Sequence, residues 1–263
     1  MNSLHNDSFF QVPLVQRTTS EGVVDFPILY FDARCVQAFF WCKLALVEEK
    51  LIGTGLRPAM VWRGSAIVGL AFFEYLNTSI GLYNEAGLAI PVLPSTSSHS
   101  TRWLQLLQDV EHPGHELGFH IAHLPVTTNA ACAAGKEIWG YPKFVTDIPF
   151  SLSEGRLNVS VRDPGDGKLS IAELKGQLGA GIPTPTLSLL LYSSLAGQRL
   201  RTKVNVRGKT RLHAGAATRL EVGASDHPMA DTLRQLGLSA AIPVALTTTQ
   251  GFQSRLNLGV PFR

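Results

Sequence analysis

The sequence predicts an α+β fold dominated by antiparallel strands. Two observations carry this. Strand-like segments outnumber helix-like ones, without the regular alternation that builds a doubly wound parallel sheet. Residues 156–172 also spell a hairpin. Leu157, Val159 and Val161 alternate with Arg156, Asn158 and Arg162; Asp163-Pro164-Gly165-Asp166-Gly167 reverses the chain; Leu169 to Ala172 returns.

Taken in order, residues 1–25 read as an extended arm ahead of one domain spanning 26–263, since no linker or repeat divides the rest. Cys35 to Leu51 is apolar at helical spacing, with Glu48, Glu49 and Lys50 at a polar end, and predicts a helix. Ala66 to Leu76, bounded by Arg63-Gly64-Ser65 and Asn77-Thr78-Ser79, predicts a buried strand. Trp103, Leu104, Leu107 and Val110 recur at helical spacing behind the capping residues Ser100 and Thr101. Leu117 to Pro125 and Phe144 to Phe150 predict strands, and Arg199 to Leu212 a long strand or a pair. Asp226-His227-Pro228 opens a short helix with Met229, Leu233 and Leu236 on one face, and Gly237 stops it.

Composition narrows the class. Of 263 residues, 45% are hydrophobic and only 16% charged, against about 25% charged in an ordinary soluble domain. A large core or a subunit interface accounts for this, and a homo-oligomer is expected. The net charge of +3 is too small to imply nucleic acid. Arg199, Arg201, Lys203, Arg207, Lys209 and Arg211 share odd positions and predict one solvated strand face, with a rim that attracts an acidic substrate as the sharper alternative; no aromatic is interleaved as a base-stacking surface needs. Met1 to Ser20 lacks a signal-peptide pattern, and the longest apolar run, about Ala66 to Phe73, is short of a membrane span. With Cys35, Cys42 and Cys132 in no disulfide or metal spacing, a cytoplasmic protein with reduced thiols is expected. His115 to His120 is one residue too long for the zincin spacing, and in a strand His120 and His123 point to opposite faces, so no metal site is predicted from His112, His115, His120 and His123.

Lys143 is the residue with chemical content. It follows Pro142 between Tyr141 and Phe144. Taken as extended, Glu137 to Thr146 would place Glu137, Trp139, Tyr141, Lys143 and Val145 on one face. The bland reading is an edge lysine stacked on Trp139 or Tyr141. The functional one is a lysine drawn into an apolar site, where burial favours the neutral, nucleophilic amine.

Glu-x-x-x-Tyr-Pro-Lys, here Glu137 to Lys143, resembles the Schiff-base lysine segment of the acetoacetate decarboxylase family. Tyr83-Asn84-Glu85-Ala86-Gly87-Leu88-Ala89-Ile90-Pro91-Val92 is similar to that family's Tyr-x-Glu-x-Gly-x-x-Ile-Pro-Val segment. Thr218-Arg219-Leu220-Glu221-Val222 with His227-Pro228-Met229-Ala230 resembles its late strand and short helix. The blocks occur in the family's order. The resemblance implies a cone-like, closed, mostly antiparallel barrel with flanking helices. It implies Lys143 as imine former and Glu85 as active-site glutamate. Trp139 and Tyr141 would wall the pocket, and Phe144 and His120 are further substrate-lining candidates.

Three departures accompany it. Phe144 stands where the decarboxylases proper carry a second lysine. Acetoacetate decarboxylase is itself a standing instance of a lysine activated by a hydrophobic pocket or a neighbouring cation; with Phe144 beside Lys143, burial is the route left. A further family glutamate falls near Leu70 or Ala71, leaving Glu74 as the nearest carboxylate. The arginine that holds the substrate carboxylate falls near Ala33, making Arg34 the candidate. The implied function is a Schiff-base lyase acting on a small or medium keto acid without an added cofactor, with decarboxylation as the family default. An aldolase–dehydratase reaction through the same imine and a non-catalytic ligand-binding barrel are the alternatives.

Overall fold

The computed structural model describes residues 7–98 and 109–262. In chain order the strands are β1 (Val15–Thr19), β2 (Gly22–Phe26), β3 (Ile28–Lys43), β4 (Leu56–Pro58), β5 (Val61–Trp62), β6 (Ser65–Thr78), β7 (Tyr83–Pro94), β8 (Gly118–Val126) and β9 (Lys143–Val145). They continue with β10 (Phe150–Ser153), β11 (Arg156–Arg162), β12 (Ser170–Gln177), β13 (Ile182–Thr184), β14 (Leu189–Leu195), β15 (Gln198–Ala214), β16 (Thr218–Val222), β17 (Ala245–Leu256) and β18 (Val260–Pro261). The helices are α1 (Leu44–Glu49), α2 (Asn129–Trp139) and α3 (Pro228–Gln235).

The large sheet runs β7-β6-β3-β17-β15-β14-β8, and β8 pairs back onto β7, so the ring closes. Closure removes the open edges that a free sheet would present. The pairings around it are antiparallel except at β8, which lies parallel to β14 and to β9. A second sheet, β10-β11-β12-β16, holds the expected hairpin, with Val161 opposite Ala172 and Leu157 opposite Gly176. The first strands, β1 and β2, make a hairpin of their own.

Each long ring strand has two buried faces. Outward, Val36, Ala38 and Phe40 of β3, Leu70 and Phe72 of β6 and Leu88 and Ile90 of β7 share a core with Leu157, Val159 and Leu174 of the second sheet and Met229 and Leu233 of α3. Inward, Tyr30, Cys35, Tyr75, Tyr83, Ile121 and Leu124 pack with Trp139 and Tyr141.

This two-sided burial corrects one expectation. Cys35 to Lys43 is strand, and only Leu44–Glu49 is helical. A strand covered on both faces reads as an unbroken apolar run, which periodicity alone does not separate from a buried helix. The strand expected from Phe144 to Phe150 is split, with Lys143–Val145 in the ring and Phe150 opening the second sheet. The helix expected around Trp103, Leu104 and Leu107 lies outside the described residues. The C-terminal helix is present, with His227 accepting from the Met229 N–H at its start and Gly237 just beyond its end. Among the described residues no helix is long and apolar enough to cross a membrane.

Candidate active site

The ring is hollow because of where its small residues fall. Gly69 stands opposite Ala89 and Ala71 opposite Gly87 across β6 and β7, and all four face inward. Ala131, Ala134 and Gly135 of α2 present equally small surfaces from the side. Together they leave a cavity of about 150 Å³ inside the ring. Larger groups crowd the continuation of the same strands, where Phe73 faces Glu85 and Tyr75 faces Tyr83.

Lys143 reaches this cavity through a change of partner along β8. β14 pairs with β8 at Phe119 and His120, and β9 pairs further along, with Lys143 opposite Leu124. The short β9 thus completes the wall and aims Lys143 inward. The segment before it is not extended, contrary to the sequence reading. α2 continues through Trp139, and Gly140, in the left-handed region at φ 68°, ends it with its N–H on the Gly135 and Lys136 carbonyls. Glu137 therefore leaves the predicted face and binds the Ser20 backbone N–H and hydroxyl in the β1–β2 turn. Trp139 and Tyr141 still line the cavity, with rings stacked 5.7 Å apart. The Trp139 indole N–H donates to the Asn257 carbonyl at 3.0 Å.

Glu85 meets Lys143 from across the ring. Nζ of Lys143 lies 2.5 Å from Oε2 of Glu85, and each residue is only 8% exposed. Tyr75 donates its hydroxyl to the other carboxylate oxygen at 3.2 Å. The hydroxyls of Tyr30 and Tyr83 share a hydrogen bond at 3.0 Å, and the Lys143 ammonium stands 5.9 Å from the centre of the Tyr83 ring. Burial, and then the Glu85 charge, push the Tyr30 and Tyr75 hydroxyls and the Cys35 thiol well above their ordinary ranges; Tyr83 is raised by burial, then by Tyr30 and Glu85. These groups stay protonated at neutral pH and can act as donors. The Tyr141 hydroxyl, raised chiefly by burial, is buried without a full hydrogen bond, and Thr202 is close enough to influence it.

Space for the lysine stem is itself provided by sequence. A Cβ placed on Gly135 would lie 2.3 Å from both Cδ and Cε of Lys143. Glycine costs up to ~1 kcal/mol inside a helix relative to alanine, so its place here is explained by the close approach.

Four residues predicted for the site lie elsewhere. Arg34 and Glu74 face each other across β3 and β6 but project from the outer side of the ring, next to the inward Cys35 and Phe73. They form an ion pair there, with Arg34 stacked over Phe150 of the second sheet. Phe144, adjacent to Lys143 on a strand, points the opposite way and packs 4.2 Å from His227. His120 also faces outward, because Phe119 and Ile121 take the inward positions. His123 faces outward with it, hydrogen-bonded to Thr232 of α3. A bulge in β8, where Leu88 pairs with His123 but Ala89 with Ile121, inserts one residue and breaks the alternation that set these two histidines on opposite faces. Among the described residues no cluster of His, Cys, Asp or Glu could hold a metal ion.

Tyr30 and Tyr75 join the site without being marked by any sequence motif, and Tyr83 is marked only as part of one. A signal was present: Tyr83 and Glu85 are two apart on one strand and so share a face. Tyr75 becomes visible only with the β6–β7 register.

A model of the acetoacetate decarboxylase family matches residues 11–213. The chain belongs to this family. Solved structures agree in fold. The acetoacetate decarboxylase of Legionella pneumophila is 16% identical, covers 100% of this chain and 98% of its own, and superposes with a TM-score of 0.66. An acetoacetate decarboxylase-like enzyme from Sphingomonas wittichii RW1 is 14% identical over 91% of this chain and 94% of its own, TM-score 0.62. The enduracididine biosynthesis enzyme MppR, complexed with pyruvate, is 10% identical over 95% and 98%, TM-score 0.63. At such identities the likeness is one of fold. No match to the chain is found among curated protein sequences.

Proposed function

We propose that the protein is a carbon–carbon lyase that works through an imine between Lys143 and a carbonyl substrate. The observation that carries this is the Lys143–Glu85 pair at 2.5 Å, buried in a cavity whose walls are otherwise mostly hydrocarbon. A lysine at the reference pKa of ~10.4 is neutral about once in 2,500 molecules at pH 7, so attack needs a base to take its proton. Glu85 is at hydrogen-bond distance to do so. The freed amine adds to the carbonyl carbon. Glu85 then returns the proton to the carbinolamine oxygen, water leaves, and an iminium remains. Substrate and ammonium on one side balance iminium and water on the other.

The iminium is an electron sink, so the reaction needs no added cofactor. From it the bonding pair of a β-carboxylate can flow toward nitrogen as CO₂ leaves, the family default. Alternatively an α-proton can pass to Glu85. Both routes give an enamine that is reprotonated at carbon or adds to a second carbonyl. MppR, held with pyruvate and with the condensation product of pyruvate and imidazole 4-carboxaldehyde, supports keeping the second route open. Tyr75 holds the free oxygen of Glu85, and Trp139 and Tyr141 wall the site.

The test is reductive trapping. Wild type incubated with a panel of ketones, aldehydes and keto acids, then treated with borohydride, is expected to carry an adduct that peptide mapping places on Lys143. An adduct absent with every carbonyl compound, in protein of native circular dichroism, overturns the enzyme reading in favour of a barrel that only holds a ligand.

A further inference from the structure

A carboxylate taken out of water needs a cation and hydrogen bonds to replace its hydration, and unpaired it is costly. Among the described residues lining the cavity, the charged side chains are Lys143 and Glu85, and each neutralises the other. Turning the amine into an iminium leaves this balance unchanged, since the nitrogen stays positive. A substrate carboxylate would therefore be a second negative charge beside Glu85, with no second cation among the described lining residues to meet it. The cations nearest in sequence logic are engaged outside the ring: Arg34 by Glu74, Arg207 by Asp7 and Lys203 by Glu111.

Apart from the hydroxyls of Tyr30, Tyr75, Tyr83 and Tyr141, the rest of the wall is mostly hydrocarbon. Leu189, Leu191, Val204, Val206, Phe252 and Leu256 line it from β14, β15 and β17. Gln37 and Ser254 add neutral hydrogen-bonding groups, suited to a hydroxyl or a second carbonyl and not to a charge.

We infer that the carbonyl compound taken by Lys143 is neutral and hydrocarbon-rich, a ketone or aldehyde with an alkyl or aryl chain and no free carboxylate. This rests on the imine-forming reading above. Such a substrate has no CO₂ to lose. Its iminium reacts by breaking an α C–H bond: the proton goes to Glu85, the bonding pair becomes the enamine double bond, and the nitrogen takes the former C=N pair. The enamine carbon then adds to a second carbonyl, its π pair forming the new C–C bond while the nitrogen lone pair re-forms C=N; Glu85 gives its proton to the resulting alkoxide, and water releases the hydroxy ketone and lysine. Without a second carbonyl, Glu85 returns the proton to carbon.

Heptan-2-one and 6-oxoheptanoate test this, because they differ in a terminal methyl against a terminal carboxylate. Initial rates of borohydride-trapped Lys143 adduct are measured for each with wild type. The neutral ketone is expected to trap roughly ten-fold faster or more, the direction set by an unpaired buried charge. In D₂O, heptan-2-one is also expected to gain deuterium at its α-carbons, an exchange lost in Lys143→Ala and slowed in Glu85→Gln. Equal trapping, faster trapping of the acid, or CO₂ release from acetoacetate faster than α-exchange of the ketone overturns the substrate class while the Lys143 adduct upholds the imine. Absence of an adduct at Lys143 with either compound and with pyruvate overturns both.

Discussion

Two acid–base pairs stand on different strands of the one ring and face opposite ways. Arg34 and Glu74 lie on the outside of the ring, their side chains 40% and 21% exposed. Glu85, opposite the neighbouring Phe73, points inside to Lys143, and that pair is almost wholly enclosed. The residue types are nearly the same and the contacts equally close. Environment separates them. Outside, water screens the charges. Inside, water is excluded, and each ion depends on the other and, for Glu85, on the Tyr75 hydroxyl to replace its hydration. The outer pair joins layers, and the inner one is the pair to which the proposed chemistry is assigned.

Substitutions can break that contrast, and the largest effect is expected at Lys143. Lys143→Ala should abolish borohydride-trapped adduct and turnover, and should cost roughly 3–5 kcal/mol in urea unfolding by leaving Glu85 buried without its partner. Glu85→Gln keeps the shape and removes the base. Turnover should fall by roughly 10²–10⁴ while slow trapping at Lys143 persists. Loss of trapping alone, with turnover intact, would contradict the assigned role.

Gly135→Ala probes the inner face without touching charge. The new methyl should displace the lysine stem and slow adduct formation. Net stability should change by no more than about 1–2 kcal/mol, since overpacking is partly offset by better helix propensity. Unchanged trapping kinetics would show that the stem does not need this space.

The outer face answers to pH instead. Burial, then the positive charges of His227 and Lys50, hold His123 down to about 4. Its unfolded value is near ~6.5, so the unfolded chain binds the extra proton first, and stability falls as pH drops from about 6.5 towards 4. His115, His120 and His227 are lowered mainly by burial and act in the same direction. Thermal unfolding should reach lower temperatures across this window, and His123→Gln should flatten part of the slope. A slope unaffected by that change would remove His123 from the account. The smallest effect is expected for Arg34→Ala: about 0–1 kcal/mol of stability and unaltered adduct formation. A loss of trapping there would return Arg34 to the site.

The fold class was legible because hairpins and turns are local: the Asp163-to-Gly167 turn and the alternation around it predict their strands directly. Ring closure was legible only through the family resemblance and not in the local pattern, since it depends on the non-local pairing of β8 with β7 and β14. For the site, Lys143 was conspicuous by its neighbours, and motif resemblance tied it to Glu85, which no spacing rule could do across 58 positions. Facing was where the sequence failed. Arg34 and Phe144 were drawn into the site by adjacency, yet one step along a strand reverses direction. His120 and His123 were separated by an alternation that the β8 bulge cancels. Glu137 was lost because α2 runs three residues into a segment that Pro142 and the aromatic rings made look extended.

The central claim is reversible imine formation by Lys143. It is tested most directly by oxygen exchange, because each cycle of imine formation and hydrolysis replaces the carbonyl oxygen with one from water. Heptan-2-one incubated with the protein in water enriched in heavy oxygen should gain the label well above the buffer rate, and Lys143→Ala should return exchange to that rate. Exchange at the buffer rate with wild type for both heptan-2-one and pyruvate, or acceleration that survives Lys143→Ala, would contradict the account.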